Sequence, residues 1–298
     1  MRTARECAKA TGARLTACGD WAAQGLISRF QPVPDGWSGA QRSFEAYMVN
    51  VLANALRDHQ LNGALFGVAT AVPAAEALTL LLDSDMADRV LAELLPRFDL
   101  DYGGLRGVPG LRAKVQGATA LVHDLSTGAC VTLAKSNGST FAVPADHERD
   151  RPLWKSSPRS LDPGEREDLA LWEDRRWSDE DVEARDFLLS RLLRRPRIVN
   201  SAAGAHGWAN TYSHGTSDLV IEWCCGGELD QYERWLRRSG VAATPQGLDR
   251  LRSTAEFPGT IDLGQGRVYL RRQPSCTIPH NLISEQELDR QIREEYRR

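Results

Sequence analysis

The sequence predicts an α+β protein, with a helical N-terminal region that includes a β-hairpin and a C-terminal α+β domain after it. Three observations carry that expectation. From residue 43 to 59, Phe44, Tyr47, Met48, Val51, Leu52 and Leu56 recur at helical spacing. Alternating apolar residues flank Asp124-Leu125-Ser126-Thr127-Gly128, which is the pattern of two strands around a turn. Between about residues 144 and 183 acidic residues outnumber basic ones and three tryptophans appear, which divides the chain.

Length and composition bound the rest. The 298 residues are about twice a common domain, so two domains are expected. Hydrophobic residues make up 42% and charged residues 26%, enough for buried cores under an ordinary surface. The formal net charge of -3 argues against coating nucleic acid through bulk positive charge, and it leaves room for a locally basic face. No apolar run reaches about 18 residues, so no membrane span is expected. The first nine residues carry charges with no apolar segment behind them, unlike a secretory signal. Cys7, Cys18, Cys130, Cys224, Cys225 and Cys276 form no C-x-x-C pair. They read as free thiols of a reducing compartment, so a cytoplasmic location is expected.

Taken in order, residues 4–9 read as a helix broken at Thr11-Gly12, and residues 15–24 as a second helix closed by Gly25. Pro32, Pro34, Gly36 and Gly39 mark a loop before the long helix at 43–59. Residues 72–95 carry two further helical patterns, with Pro73 at the start of the first and Asp83 or Ser84 capping the second. Residues 96–109 turn repeatedly. Residues 114–123 and 129–133 are the hairpin strands. Disordered linkers are poor in aromatics, so the stretch bearing Trp154, Trp172 and Trp177 is predicted to be ordered in part, with its tryptophans packed on a domain. A helix at 182–193 is stopped by Pro196. A strand at 218–224, a helix at 228–238, a short helix at 245–252 and a hairpin of 260–263 with 267–271 follow. Ser284 and Glu287 open a terminal helix as a capping box. The resulting division is 1–70, 71–143, 144–181 and 182–298, in which the third piece is the acidic connector.

The first piece carries a recurrent spacing. Ala8, Gly12, Trp21, Gly25-Leu26-Ile27, the loop Gln31-Pro32-Val33-Pro34 and the long helix after it follow one another as in MerR-type winged helix-turn-helix domains, which residues 1 to about 70 resemble. The resemblance implies that residues 6–12 are the first helix and its turn, and that residues 20–27 are the recognition helix and its exit. Trp21 and Leu26 would pack a three-helix core, and the helix from about Leu15 would face a major groove. The pattern departs from the family at Cys18-Gly19-Asp20, where an arginine is usual. Glycine weakens a helix by roughly 1 kcal/mol, and Asp20 repels phosphate. Arg14, Arg29 and Arg42 are the candidates for phosphate contact. The implied function is a DNA-binding regulator acting as a homodimer on duplex half-sites, with the C-terminal domain sensing a ligand or partner.

The second half offers weaker signals. Asp218 and Glu222 lie four residues apart on a strand and so share a face. Paired carboxylates of this kind hold Mg²⁺ in nucleases and nucleotidyltransferases, with His206 or His214 as the acid-base group. Each match breaks at a residue the chemistry needs: Val220 and Cys224 stand where a second aspartate and a lysine belong. A strand with polar ends is the simpler reading. His206, His214, Cys224 and Cys225 are zinc-ligand types without finger spacing, so no metal site is expected. Asp99 and Asp101 form a D-x-D pair, read as part of a turn beside Tyr102-Gly103-Gly104. Residues 228–271 also follow the order of a winged helix, with Arg250, Arg252, Arg267, Arg271 and Arg272 on a basic face. An assembly role for the hairpins and arginines is the third alternative, behind DNA regulation and metal-dependent catalysis.

Overall fold

A computed structural model describes residues 1–56, 65–74, 77–101, 103–145, 149–173, 179–199, 209–214, 218–223, 228–241, 251–252, 259–262 and 267–272. Its class is α+β, as the sequence predicts.

The first two helices, α1 (Arg2–Thr11) and α2 (Leu15–Ala23), meet at a left-handed break. Gly12 has φ 77°, and its N–H donates to Ala8 O at 2.9 Å. A Cβ there would lie 2.8 Å from Ala69 O, so both the backbone angle and the close approach demand glycine. After α2, Gly25 takes φ 73° and Leu26 N–H reaches back to Trp21 O at 2.9 Å, closing the helix end. The long helix α3 (Gly39–Ala55) begins four residues before the expected start at residue 43 because Ser38 caps it, accepting from Gln41 N–H at 3.0 Å.

The helix expected from Pro73 is instead a β-hairpin, β1 (Val68–Pro73) with β2 (Leu78–Leu82). Leu78, Leu80 and Leu82 are buried and alternate with half-buried residues. A short leucine-rich run carries too few residues to separate period 2 from period 3.6. Pro73 ends an edge strand, where its missing N–H costs no ladder bond. The helix α4 (Ser84–Leu94) follows, with Asp83 at its N-cap. Next come β3 (Arg97–Asp99) and β4 (Gly104–Arg106), a small hairpin inside the segment expected only to turn.

The expected hairpin around Asp124 is present as β6 (Thr119–Asp124) and β7 (Cys130–Lys135), and β5 (Leu111–Gln116) pairs with β6. Together these strands form a sheet of order β1-β2-β7-β6-β5, in which β2 and β7 run parallel on either side of the α4 excursion.

The acidic connector is ordered in large part. It contains β8 (Asp150–Pro152), α5 (Leu153–Ser156) and α6 (Pro163–Glu173), and it leads into α7 (Asp179–Leu193). Trp172 is buried and stacks on Tyr47 of α3 with centroids 4.3 Å apart and planes 9° apart. Trp154 is partly buried against the same core. Trp177 lies outside the described residues. The helix α7 packs along α3, and one apolar cluster runs from Ala4 of α1 through both helices into the strands beyond.

The last elements are β9 (Ala209–His214), β10 (Asp218–Trp223), α8 (Leu229–Arg238), β11 (Leu251–Arg252), β12 (Gly259–Asp262) and β13 (Arg267–Arg272). Their sheet has the order β11-β12-β13-β10-β9. The expected hairpin is thus present as β12–β13, but β13 lies between β12 and β10, so it is not a free wing. Leu251 and Arg252, expected at a helix end, are strand residues. The rest of that predicted helix and the terminal helix opened by Ser284 lie outside the described residues.

Candidate functional site

Two local features deserve the functional weight: a basic groove between α1 and α8, and a cavity at the start of α3.

The groove follows from the two helices' amphipathic patterns. In α1, Ala4, Cys7, Ala10 and Thr11 are buried, so Arg2, Arg5 and Lys9 fall outside. In α8, Tyr232 and Leu236 face inward, which leaves Arg234 and Arg238 outside and Trp235 half-buried. Packed near one another, the helices enclose about 150 Å³ lined by Arg5, Glu6, Lys9, Ile198, Trp235 and Arg238. Lys9 Nζ sits 4.3 Å from the Trp235 ring centroid. Three cations face one carboxylate, a local positive balance on a chain of net negative charge. Arg197, next to Ile198, is exposed at the rim and donates Nε to Ala69 O at 3.0 Å.

None of the predicted DNA contacts is among the described residues that line this groove. Arg14, just before α2, and Arg29, after it, are exposed. Arg42 is largely buried, with 14% of its side chain exposed, and lies on the Phe187 ring at 3.9 Å. The outer face of α2 shows Leu15, Thr16, Asp20 and Ala23, which include no cation. Trp21 packs against the core, whereas Leu26 is 37% exposed and Ile27 is buried beside it. Arg252 and Arg267 belong to β11 and β13, their side chains lying outside the described residues, as does all of Arg250.

The acidic pair fares differently. His214 and Asp218 are register partners where β9 ends and β10 begins. Their side chains lie outside the described residues. Glu222 is buried and faces Arg271 of β13, its register partner, at 3.6 Å. The ladder from Asp218 to Trp223 is unbroken. Four residues of strand therefore separate the two Cα atoms by about 13 Å, too far for both carboxylates to share one Mg²⁺. Among the described residues no group of three or more His, Cys, Asp or Glu side chains is placed to hold a metal. Asp99 and Asp101 bracket a turn: Asp99 accepts from Asp101 N–H at 3.0 Å and pairs with Arg106 at 2.6 Å, while Asp101 pairs with Arg149 at 3.2 Å.

The cavity is larger, about 440 Å³, and was not foreseen. The first turns of α3, the β6–β7 turn, α6 and α7 enclose it. Phe44, Val108, Leu169 and Trp172 supply apolar wall, and Arg42, Glu183 and Asp186 supply charge. Asp124 also lines it, but its carboxylate is filled by its own turn, accepting from Ser126 N–H and Oγ and from Thr127 N–H and Oγ1. Asp186 accepts twice from Arg185, at 2.9 and 2.7 Å. Burial pushes the Asp186 carboxyl up, and the neighbouring Arg185, Ser43 and Arg42 only partly offset it. The helical periods of α3 and α7 were legible, but their charged positions gave no sign of facing one space.

No family model matches the chain, and no curated protein or solved structure matches it either.

Proposed function

We propose that the protein is a DNA-binding regulator that holds the phosphate backbone in the groove between α1 and α8. The observation that carries this reading is the convergence of Arg5, Lys9 and Arg238 beside Trp235. In helix-turn-helix proteins the first helix crosses the backbone while the second enters the major groove. Cations on α1 suit that division of labour, and so does an α2 face without them. Phosphate contacts then supply affinity and register. On α2, Thr16 and Asp20 are the exposed groups able to meet base edges, an aspartate accepting from a cytosine amino group.

The test is fluorescence anisotropy of a labelled duplex titrated with the full chain at several salt concentrations between about 50 and about 200 mM. The expected result is binding that weakens steeply with salt and is lost in the triple variant Arg5→Glu, Lys9→Glu, Arg238→Glu, with circular dichroism confirming an intact fold. Absence of binding at the lowest salt, or equal binding by the folded triple variant, would overturn the reading.

A further inference from the structure

We propose that the cavity at the start of α3 binds a free α-amino acid with an apolar or aromatic side chain. Its volume, about 440 Å³, lies within the range of small-ligand pockets. Charges of both signs lie side by side in its wall. Arg42 holds its guanidinium carbon over the Phe187 ring, 3.9 Å from the centroid. Nη1 donates to Gly36 O at 2.9 Å. Along the Nε–Nη2 edge, Nε is shielded from solvent and has no hydrogen-bond partner, and Nη2 makes one long contact, 3.4 Å, with Glu183. That edge is the one that grips a carboxylate with two parallel bonds. Beside it stand Asp186, 6% exposed and already bonded to Arg185, and Glu183, whose side chain is 49% exposed.

Charges of both signs favour a ligand that carries both. An anion alone leaves Glu183 facing like charge, and a cation alone leaves Arg42 so. A molecule with a carboxylate and an ammonium on one carbon satisfies both: its carboxylate takes the Arg42 edge from Glu183, and its ammonium turns to Asp186 and the released Glu183. The side chain then lies against Phe44, Leu169 and Trp172. The first turn of α3 adds Gly39 and Ala40 to the lining, and N–H groups at a helix start have no partner within the helix. The inference does not depend on DNA binding.

The experiment is isothermal titration calorimetry with thermal-shift readout on the full chain. The probes are the apolar and aromatic amino acids, with phenylalaninamide and N-acetylphenylalanine as analogues that lack one charge each. The expected result is saturable binding of at least one unmodified amino acid. Each blocked analogue of that ligand should bind at least about tenfold more weakly, the loss of one charge-assisted contact. Glu183→Gln, at a half-exposed position, should weaken binding with little change in the unliganded melting temperature. Arg42→Met should abolish it. No heat and no thermal shift with any unmodified amino acid would overturn the proposal. Equal binding of blocked and unblocked forms, or unchanged binding in a folded Arg42→Met, would do the same.

Discussion

Arg194 and Glu45 meet in a two-pronged ion pair, at 2.6 and 2.8 Å, from which both side chains have lost all solvent contact. Gln41 and Ser190 complete the set around the carboxylate, and Arg194 also donates to Pro34 O at 3.2 Å. The pair joins α3 to the end of α7 across 149 residues of chain. Such a pair contributes little net stability relative to an apolar replacement, but losing one partner strands the other. Glu45→Ala is therefore expected to cost about 3–5 kcal/mol in denaturant unfolding. The double variant Glu45→Met, Arg194→Met should recover most of that loss.

Trp172 anchors the connector to α3, with Tyr47 on one face and the Arg185 guanidinium 3.8 Å from its ring centroid. Trp172→Ala is expected to lower stability by about 3–5 kcal/mol. Trp37→Ala, at a position 66% exposed, should shift it by no more than about 0.5 kcal/mol. Equal effects in chemical denaturation would show that the stack is not an anchor.

Asp35 sets an acid limit. Burial opposes its charge, but Arg191 and Arg195 together outweigh burial and hold the carboxyl below its ordinary value of 3.8. A carboxyl lowered in the folded state adds stability above its unfolded pKa and loses it as pH falls through the folded value. Unfolding free energy should therefore drop below about pH 4. In Asp35→Asn stability should be lower at neutral pH, and this part of the acid-side fall should be missing. Parallel pH curves for the two proteins would contradict the assignment.

Cys7 of α1 and Cys18 of α2 are free thiols with no solvent exposure. Burial pushes both thiols up. The thiolate is the reactive form, so iodoacetamide should modify the half-buried Cys130 before either of them. Cys7 and Cys18 should become reactive only with unfolding, as read by peptide mass spectrometry. Early labelling of Cys18 in the native protein would contradict the packing of α1 on α2.

Single changes in the groove should be graded. Arg5→Ala or Lys9→Ala is expected to reduce the slope of log affinity against log salt by about 1, as for one lost phosphate contact. Asp20→Ala, on the exposed face of α2, should leave that slope unchanged. A slope insensitive to Arg5 and Lys9 would move the phosphate contacts elsewhere.

Some of this was written locally in the chain. Gly12 and Gly25 announced the ends of α1 and α2 because left-handed backbone admits little else. The apolar periods of α3, α7 and α8 and the turn at Asp124 were legible for the same reason: each signal spans a few residues and reports local geometry. The Leu78–Leu82 strand was not, since its run is too short to show a period and its partner β7 lies some fifty residues on. The charges were least legible of all. Arg42 reads as a surface cation until α7 lays Phe187 and Glu183 against it. Arg5 and Arg238 share a groove only because α8 returns to α1. By itself the sequence determined the break after α1, the close of α2 and the apolar faces of α3, α7 and α8, which are matters of dihedral preference and period. Tertiary structure alone decided which charges meet, because a long-range pair exists only after packing has closed the loop between its members.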